Sequence, residues 1–425
     1  MKLALSASAL LVSLGAPAFA GVLTVGPSGQ MFTTPQAAVN AAVDGDVILI
    51  RSGSYFSFTI DGKALAVVGG PSVSMRPPLR IRNLSASQTV TISSIGIVGV
   101  AADPAAPGIA IDACAGPVRV QDSTINSIDT EPAARVTAST QVSFARCALL
   151  GASGFYNDFD PVGPGAGLVI TNGTVALYAT DVSGGWGGSG TYGSQGAVQR
   201  PAYDGADACV VGAGAQLFAS GGTFTGGRGG SGASASCNPV PFPGGAAATG
   251  ANALVVDPTA HVDTLDVAFV AGVAGNPGPG NGTCGLPAGA AGAAGGTIVG
   301  ATANVTALSG LHRGLRGTVT VRELQSATFT FTGTPGDSVL LVWAPQPQHQ
   351  LYLPFLGVIA YGAQARRIPM GFVPGSGLLT VSLPIADLGA GVQAQKRYLQ
   401  ALFRDASNQV TLSDPLTLVL LDAAF

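Results

Sequence analysis

The sequence predicts an all-β chain: a parallel β-helix with a short helical cap, followed by a small β-sandwich. Three observations carry this. An octet that begins and ends on an apolar residue recurs seven times along the first 270 residues. A short run rich in β-branched residues precedes most copies. The octet never changes length, although successive copies start 30, 28, 24, 33, 42 and 45 residues apart.

The copies are IDGKALAV (Ile60 to Val67), VTISSIGI (Val90 to Ile97), VRVQDSTI (Val118 to Ile125) and VSFARCAL (Val142 to Leu149). They continue as VALYATDV (Val175 to Val182), LFASGGTF (Leu217 to Phe224) and VDTLDVAF (Val262 to Phe269). The preceding runs are VILIR, LRIR, GIAI, ARVT, LVI, CVV and LVV. A helix does not account for them, because β-branched residues are dense, glycines interrupt three of the copies, and no apolar period of 3.6 is sustained. Three short strands per coil do. Each coil offers inward apolar residues to the next, and stacking buries a continuous core. About seven coils are expected. Val118, Val142, Val175, Leu217 and Val262 should form one ladder, and Ile125, Leu149, Val182, Phe224 and Phe269 another.

All growth in the repeat falls after the octet, so the insertions should leave from one corner of consecutive coils. These are the glycine-rich stretches VSGGWGGSGTYGSQG, FTGGRGGSGASASCNPVPFPGGAAATG and VAGNPGPGNGTCGLPAGAAGAAGG. The chain holds 62 glycines without a collagen-like period over its length. The expectation for the insertions is loops that turn repeatedly with positive φ.

The chain opens with MKLALSASALLVSLGAPAFA, a charged start, an apolar core and a small-x-small cleavage site. It reads as a signal peptide over residues 1–20, cleaved near Ala20, with no membrane span in the mature chain. Next, TTP and the apolar stretch Ala37 to Val43 predict a capped helix closing the open end of the solenoid. The segment PQAAVNAAVDGDVILIRSGSYF, Pro35 to Phe56, resembles the entry of the pectin-lyase-like superfamily. Those proteins commonly begin with x-x-I-Q-x-A-V-x-x-A and then G-D-x-I-x-V-x-x-G-x-Y. The resemblance covers roughly Gly21 to Gly310 and implies a right-handed parallel β-helix. It implies no single activity, since that fold hosts many enzymes and many non-enzymes.

Composition shifts near Leu311, where LHRGLRG brings in Arg313 and Arg316. The strands that follow, punctuated by Pro-Gly and Gly-Ser turns, predict a β-sandwich over 311–425 with Trp343, Phe355 and Phe403 in its core. Charged residues are only 10% and the net charge is −3, which excludes nucleic acid as a partner. Export would permit disulfides among Cys114, Cys147, Cys209, Cys237 and Cys284, and the odd count leaves at least one unpaired within the chain. Cys237 and Cys284 occupy matching parts of adjacent loops and are the expected pair.

No DD, DE, ED or EE pair occurs, and Lys63 and Lys396 are the only lysines beyond the signal. The paired carboxylates of a glycosidase and the spaced ligands of a zinc site are therefore not visible. VDTLDV resembles only a fragment of a methylesterase motif, and Asp263 and Asp266 read as outward, solvated residues. His261, His312 and His349 are scattered and read as surface residues. The loop corner is richer. Tyr156, Asp158, Asp160, Trp186, Tyr192, Arg200, Tyr203, Asp204 and Arg228 fall on the insertions, and stacked corners would set them along one wall. Aromatic rings beside carboxylates suit a sugar chain, and Asp158 with Asp160 suits Ca2+; no other cofactor is implied. The competing reading makes the rings anchors for floppy loops and the aspartates turn caps. The functional expectation is a secreted, non-catalytic protein of the cell surface or matrix that binds a polysaccharide or a surface partner along this wall. The alternative is a polysaccharide lyase or glycoside hydrolase acting there.

Overall fold

The computed structural model describes residues 20–99, 106–128, 130–156, 161–192, 199–237 and 241–425. The chain winds into three parallel sheets. Sheet 1 has ten strands, from Val22–Val25 to Val305–Leu308; sheet 2 has eight, from Gly53–Tyr55 to Ala268–Val270; sheet 3 has eight, from Thr59–Asp61 to Ile298–Gly300. Strands recur in the order 1, 2, 3 to give eight coils, one more than the octets suggest. Both anticipated ladders form. Val118, Val142, Val175, Leu217 and Val262 are successive partners in sheet 1, and Ile125, Leu149, Val182, Phe224 and Phe269 in sheet 2. Their inward side chains belong to one continuous core.

The first octet is misplaced. Ile60 lies in sheet 3 opposite Ile81, and Val67 in sheet 1 opposite Ile92, so Ile60 to Val67 spans a different corner from the other six. VILIR likewise belongs to sheet 1, whereas the remaining short runs lie in sheet 3. In these early coils the connections after sheet 2 have only three residues, so no insertion marks the corner.

From the third coil on, two residues join sheet 1 to sheet 2, which explains the constant octet. The first of the two is left-handed: Ser94, Asp122, Arg146, Ala179, Gly221 and Asp266 all have φ between 43° and 69°. Non-glycine residues rarely hold that conformation, and here stacking compensates. The second residue points inward, and the hydroxyls of Ser123 and Thr180 accept from the Ile95 and Cys147 N–H groups of the neighbouring coil.

The helix Pro35–Ala41 closes the first coil. Thr34 caps it by accepting from Ala37 N–H, Pro35 occupies its first turn, and Lys63 Nζ donates to the carbonyls of Val39, Asn40 and Ala42 at its far end.

From Gly314 the chain builds a second unit. A three-stranded antiparallel sheet (Gly314–Gly317, Ser326–Thr332, Leu378–Pro384) faces a larger sheet whose longest strands are Ala394–Arg404 and Ser338–Ala344. Phe329, Phe331, Leu341, Leu399 and Phe403 fill the space between. Trp343 packs at the edge of this core under Arg397, while Phe355 is half-buried against Tyr352 and stands outside it.

The second unit lies against the outer face of sheet 1. Gln121 Nε2 donates to Thr417 O and its Oε1 accepts from Thr417 N–H, at 3.0 and 2.8 Å. Arg119 donates to the carbonyls of Gln348 and Ala360 and stacks on Tyr398. Tyr178 Oη accepts from Val358 N–H at 2.7 Å. Strands Ala66–Gly69, Val90–Ser93, Val118–Gln121 and Val142–Ala145 of sheet 1 are consequently buried on both faces. Asp263 points outward as expected but is only 2% exposed and sits 3.2 Å from His261.

Candidate functional site

The insertions all leave between sheet 2 and sheet 3, on one corner, and they are not irregular loops. Each leaves as an extended segment, turns, and returns alongside itself. Hydrogen bonds between neighbouring segments recur every third residue. Gly226, Gly229 and Gly232 donate to the carbonyls of Val270, Val273 and Asn276 of the next coil, all at 2.9 Å. Gly244, Ala247 and Gly250 donate to Pro287, Ala290 and Ala293, also at 2.9 Å. A second set ties outgoing to returning segments: Gly185 to Gly165, Ala206 to Gly185, Gly227 to Ala206, Ala251 to Gly227, Gly272 to Ala251 and Gly295 to Gly272.

A three-residue repeat with bonds only to neighbours is the geometry of a left-handed threefold extended helix, the backbone class of polyproline and collagen chains. Here such helices pack side by side into a two-layer slab. The stretch T-G-G-R-G-G-S-G-A shows why. Thr225, Arg228 and Ser231 face outward, while Gly226, Gly227, Gly229 and Gly230 are buried or nearly so. A methyl carbon at Gly226 would overlap the Ala251 carbonyl oxygen, and one at Gly230 the Gly188 oxygen. None of the glycines from Gly226 to Gly232 or from Gly272 to Gly278 has a positive φ. This corrects the expectation from sequence: glycine serves close approach here, not left-handed turning. The period was present locally and diluted over the whole chain.

Register in the slab continues that of the sheets. Ser153, Trp186, Arg228 and Val273 occupy equivalent positions in four successive coils, because Gly154 donates to Trp186 O, Gly187 to Arg228 O and Gly229 to Val273 O. Trp186 is 64% exposed and Val273 60%, and Arg228 is exposed between them. The next row is Ser189, Ser231 and Asn276. Side-chain oxygens close backbone gaps on this front face: Ser153 Oγ accepts from Trp186 N–H and Ser231 Oγ from Asn276 N–H.

The returning layer forms the back face. There Asp204, Thr249 and Ala293 are equivalent, and Asp204 Oδ1 accepts from Thr249 N–H at 2.6 Å, while Asp207 Oδ1 accepts from Asn252 N–H at 2.8 Å. The residues singled out from sequence therefore divide. Trp186 and Arg228 are neighbours on the front face, and Asp204 is on the back. Tyr203 lies in the returning segment, where its carbonyl accepts from Gly230 and its N–H donates to Gly188 O. Arg200 and Tyr192 belong to the hairpin at the end of the sixth coil's insertion, Thr191–Tyr192 paired with Gln199–Arg200. Tyr156 belongs to the corresponding hairpin one coil earlier, opposite Pro161. Asp158 and Asp160, the expected Ca2+ ligands, lie outside the described residues. Among the described residues no group of three His, Cys, Asp or Glu side chains is placed to hold a metal.

Cys237 and Cys284 are joined by a disulfide across the ends of the last two insertions, with Cα atoms 6.2 Å apart. Cys114, Cys147 and Cys209 are buried free thiols; burial pushes Cys147 up to about 12 and also raises Cys209.

Sequence reasoning missed the chemistry at the junction of the two units. His312 Nδ1 lies 2.9 Å from Ser220 Oγ, and its Nε2 lies 3.1 Å from Asp414 Oδ1. Asp414 also approaches Arg146 at 3.6 Å. This has the composition of a hydrolytic triad, but Ser220 is fully buried and Asp414 2% exposed, so no substrate reaches the hydroxyl. The group clamps the sandwich to the solenoid. His312 and His349 are half-buried rather than exposed; desolvation of its ring, with the Arg119 charge nearby, lowers His349 to about 3.

No protein-family model matches this sequence, and no curated protein matches it. Among solved structures, the superoxide reductase (neelaredoxin) from Ignicoccus hospitalis aligns at 10% identity over 26% of this chain and 80% of its own, with a TM-score of 0.16. That similarity is too low to bear on fold or function. The fold is that of a parallel β-helix with an attached antiparallel unit. Among the described residues no helix is long and apolar enough to cross a membrane.

Proposed function

We propose that this is a secreted, pectin-lyase-like β-helix protein that binds a polysaccharide or a cell-surface partner on the front face of its glycine slab, without transforming it. The observation that carries this reading is Trp186. Its ring is 64% exposed on a segment already held by backbone hydrogen bonds on both sides. The ring is not required to hold the segment, which favours a ligand-facing role over an anchoring one. An exposed indole beside the Arg228 guanidinium and a row of serines and asparagine offers a stacking surface with hydrogen-bond donors around it. The slab fixes these groups in register before any ligand arrives, so little ordering is required on binding. The exposed Cys237–Cys284 disulfide fits an oxidising compartment outside the cytosol.

Retention on immobilised plant and algal polysaccharides, followed by intrinsic fluorescence, tests the reading. Trp186→Ala and Arg228→Ala should each weaken retention by about tenfold or more, roughly 1.4 kcal/mol, with an unchanged melting temperature. New reducing ends or unsaturated-uronate absorbance on incubation would instead support the lyase or hydrolase alternative. Retention indifferent to both substitutions would refute the front face as the site.

A further inference from the structure

A second surface lies at a different corner of the coil, where sheet 1 turns into sheet 2 beside the sandwich. Three cavities of about 280, 490 and 340 Å³ run end to end there. The first two share Gly70 and Thr320, and the last two share Asp122 and Thr124. Together they form one groove from Arg51 in the first coil to Asp181 in the sixth. With rungs about 4.8 Å apart, six rungs span about 24 Å, the length of roughly seven extended residues. One bank is the stack of two-residue turns. The other is the sandwich segment from Arg316 to Gln325.

That second bank contains a free strand edge. Thr320–Arg322 is the outermost strand of the larger sheet and pairs only with Leu416–Leu421 among the described residues. Val319 O accepts from Val419 N–H, and Glu323 N–H donates to Leu421 O. In a parallel ladder, alternate residues face the partner, so Thr320 and Arg322 direct their backbone groups into the groove. The Arg322 carbonyl accepts from Gln325 N–H. Both backbone groups of Thr320 and the N–H of Arg322 are left for an incoming strand.

The net charge left in the groove is positive: among the described residues one carboxylate without a cationic partner, Asp181, faces two such guanidinium groups, Arg51 and Arg316. Asp122 is held by Arg146 through two contacts of 2.7 and 3.0 Å, and Asp181 Oδ1 accepts from Thr223 N–H. Arg51 at one end and Arg316 towards the other are exposed and have no partner among the described residues. We propose that the groove receives an extended acidic peptide segment of a partner protein, added as a strand to Thr320–Arg322 with its acidic side chains on Arg51 and Arg316. Main-chain pairing would supply affinity and the two arginines the selection. The site shares no residue with the slab face, so either can fail without the other.

The test pans the full-length protein against random octapeptides displayed on phage, then measures the most enriched peptide by fluorescence anisotropy. Enriched sequences should carry Asp or Glu towards both ends around alternating β-branched residues. Thr320→Pro removes an N–H that faces the groove and leaves the Val319 and Val321 pairing intact; it should weaken binding about tenfold or more. Because proline could also disturb the strand, the exposed double variant Arg51→Glu/Arg316→Glu provides a second reading and should abolish the acidic preference. No acidic enrichment, or binding unaffected by both variants, overturns the proposal. So does displacement of the peptide by polygalacturonate at equal charge, which would make the groove a carbohydrate site.

Discussion

Replacing Gly227 with alanine should break the slab while leaving the β-helix intact. An added methyl carbon would overlap the Gly185 carbonyl oxygen and stand 2.8 Å from Ala206 N, where ordinary contact begins at 3.4 Å. The Gly185 oxygen, at 2.0 Å, would have to recede by about 1.4 Å and the Ala206 nitrogen by about 0.6 Å to reach that contact (3.4 − 2.0 and 3.4 − 2.8). Gly227 N–H donates to Ala206 O and Gly227 O accepts from Ala251 N–H, both at 2.9 Å. Displacements of 0.6–1.4 Å stretch bonds of this length to or beyond the limit of useful geometry. Two hydrogen bonds at about 1 kcal/mol each, with an overpacking cost of about 1–3 kcal/mol, give a local loss of about 3–5 kcal/mol. Gly282→Ala is the control, since nothing lies within 4 Å of its added carbon and its φ is not left-handed. Hydrogen exchange read peptide by peptide should show Gly226 to Gly230 and Ala247 to Ala251 losing protection by about two to four orders of magnitude in Gly227→Ala alone. Strands such as Val142–Ala145 should keep theirs. Equal protection in the two variants would refute the close-packing account of the glycines.

Three further outcomes rest on the same geometry. Gln121→Ala strips both partners from a buried backbone group pair at Thr417 and should cost about 2–4 kcal/mol, seen as a lower melting temperature. Reduction of Cys237–Cys284 should raise exchange at the slab tip and spare the coils; the loop-closure model sets an upper value of about 4 kcal/mol, and the slab bonds already supply part of that restraint. Acid should loosen the junction, because His349 stays neutral in the folded chain down to about pH 3 whereas an unfolded histidine takes up its proton below about pH 6.5. Stability therefore falls as pH drops through that window, and His349→Gln should flatten the dependence in urea titrations.

The ladders were legible because the two-residue turn between sheet 1 and sheet 2 fixes the octet, and because inward positions are β-branched or aromatic in nearly every coil. The disulfide was legible for the same reason: Cys237 and Cys284 sit at matching depths in adjacent repeats, and register carries through the insertions. The turn itself left no mark. Ser94, Asp122, Arg146, Ala179 and Asp266 share a left-handed backbone but no residue type. The junction was invisible because Arg119, Gln121 and Asp263 alternate with inward residues as solvent-facing side chains would, and only the docked sandwich buries Arg119 and Gln121. The proposed wall was half legible. Placing the insertions on one corner requires only the repeat, but placing Trp186 with Arg228 and apart from Asp204 requires knowing that each insertion doubles back as a second layer.

The slab also contains its own ending, and this separates a packing rule from mere richness in glycine. In the returning layer Gly205, Gly250 and Ala294 are equivalent, as are Gly244 and Ala288, by continuation of the register Cys209–Leu254–Ile298. A methyl carbon at Gly250 would overlap the Gly272 oxygen of the next coil, and one at Gly244 the Gly278 oxygen. The eighth coil has no successor, and there the glycine becomes alanine. Gly289, Gly292 and Gly295, which face back towards the seventh coil, are glycine, and carbonyls of Gly245, Ala248 and Ala251 lie against them. At the rows of Gly250 and Gly244 glycine stands where the next coil lies against it and alanine where none does, although Ala247, in the intervening row, is alanine with the eighth coil beside it. The alanine methyls in turn obstruct addition of another glycine helix at the open end, a form of protection that edge strands require, so the slab stays a face of fixed width rather than a template for growth.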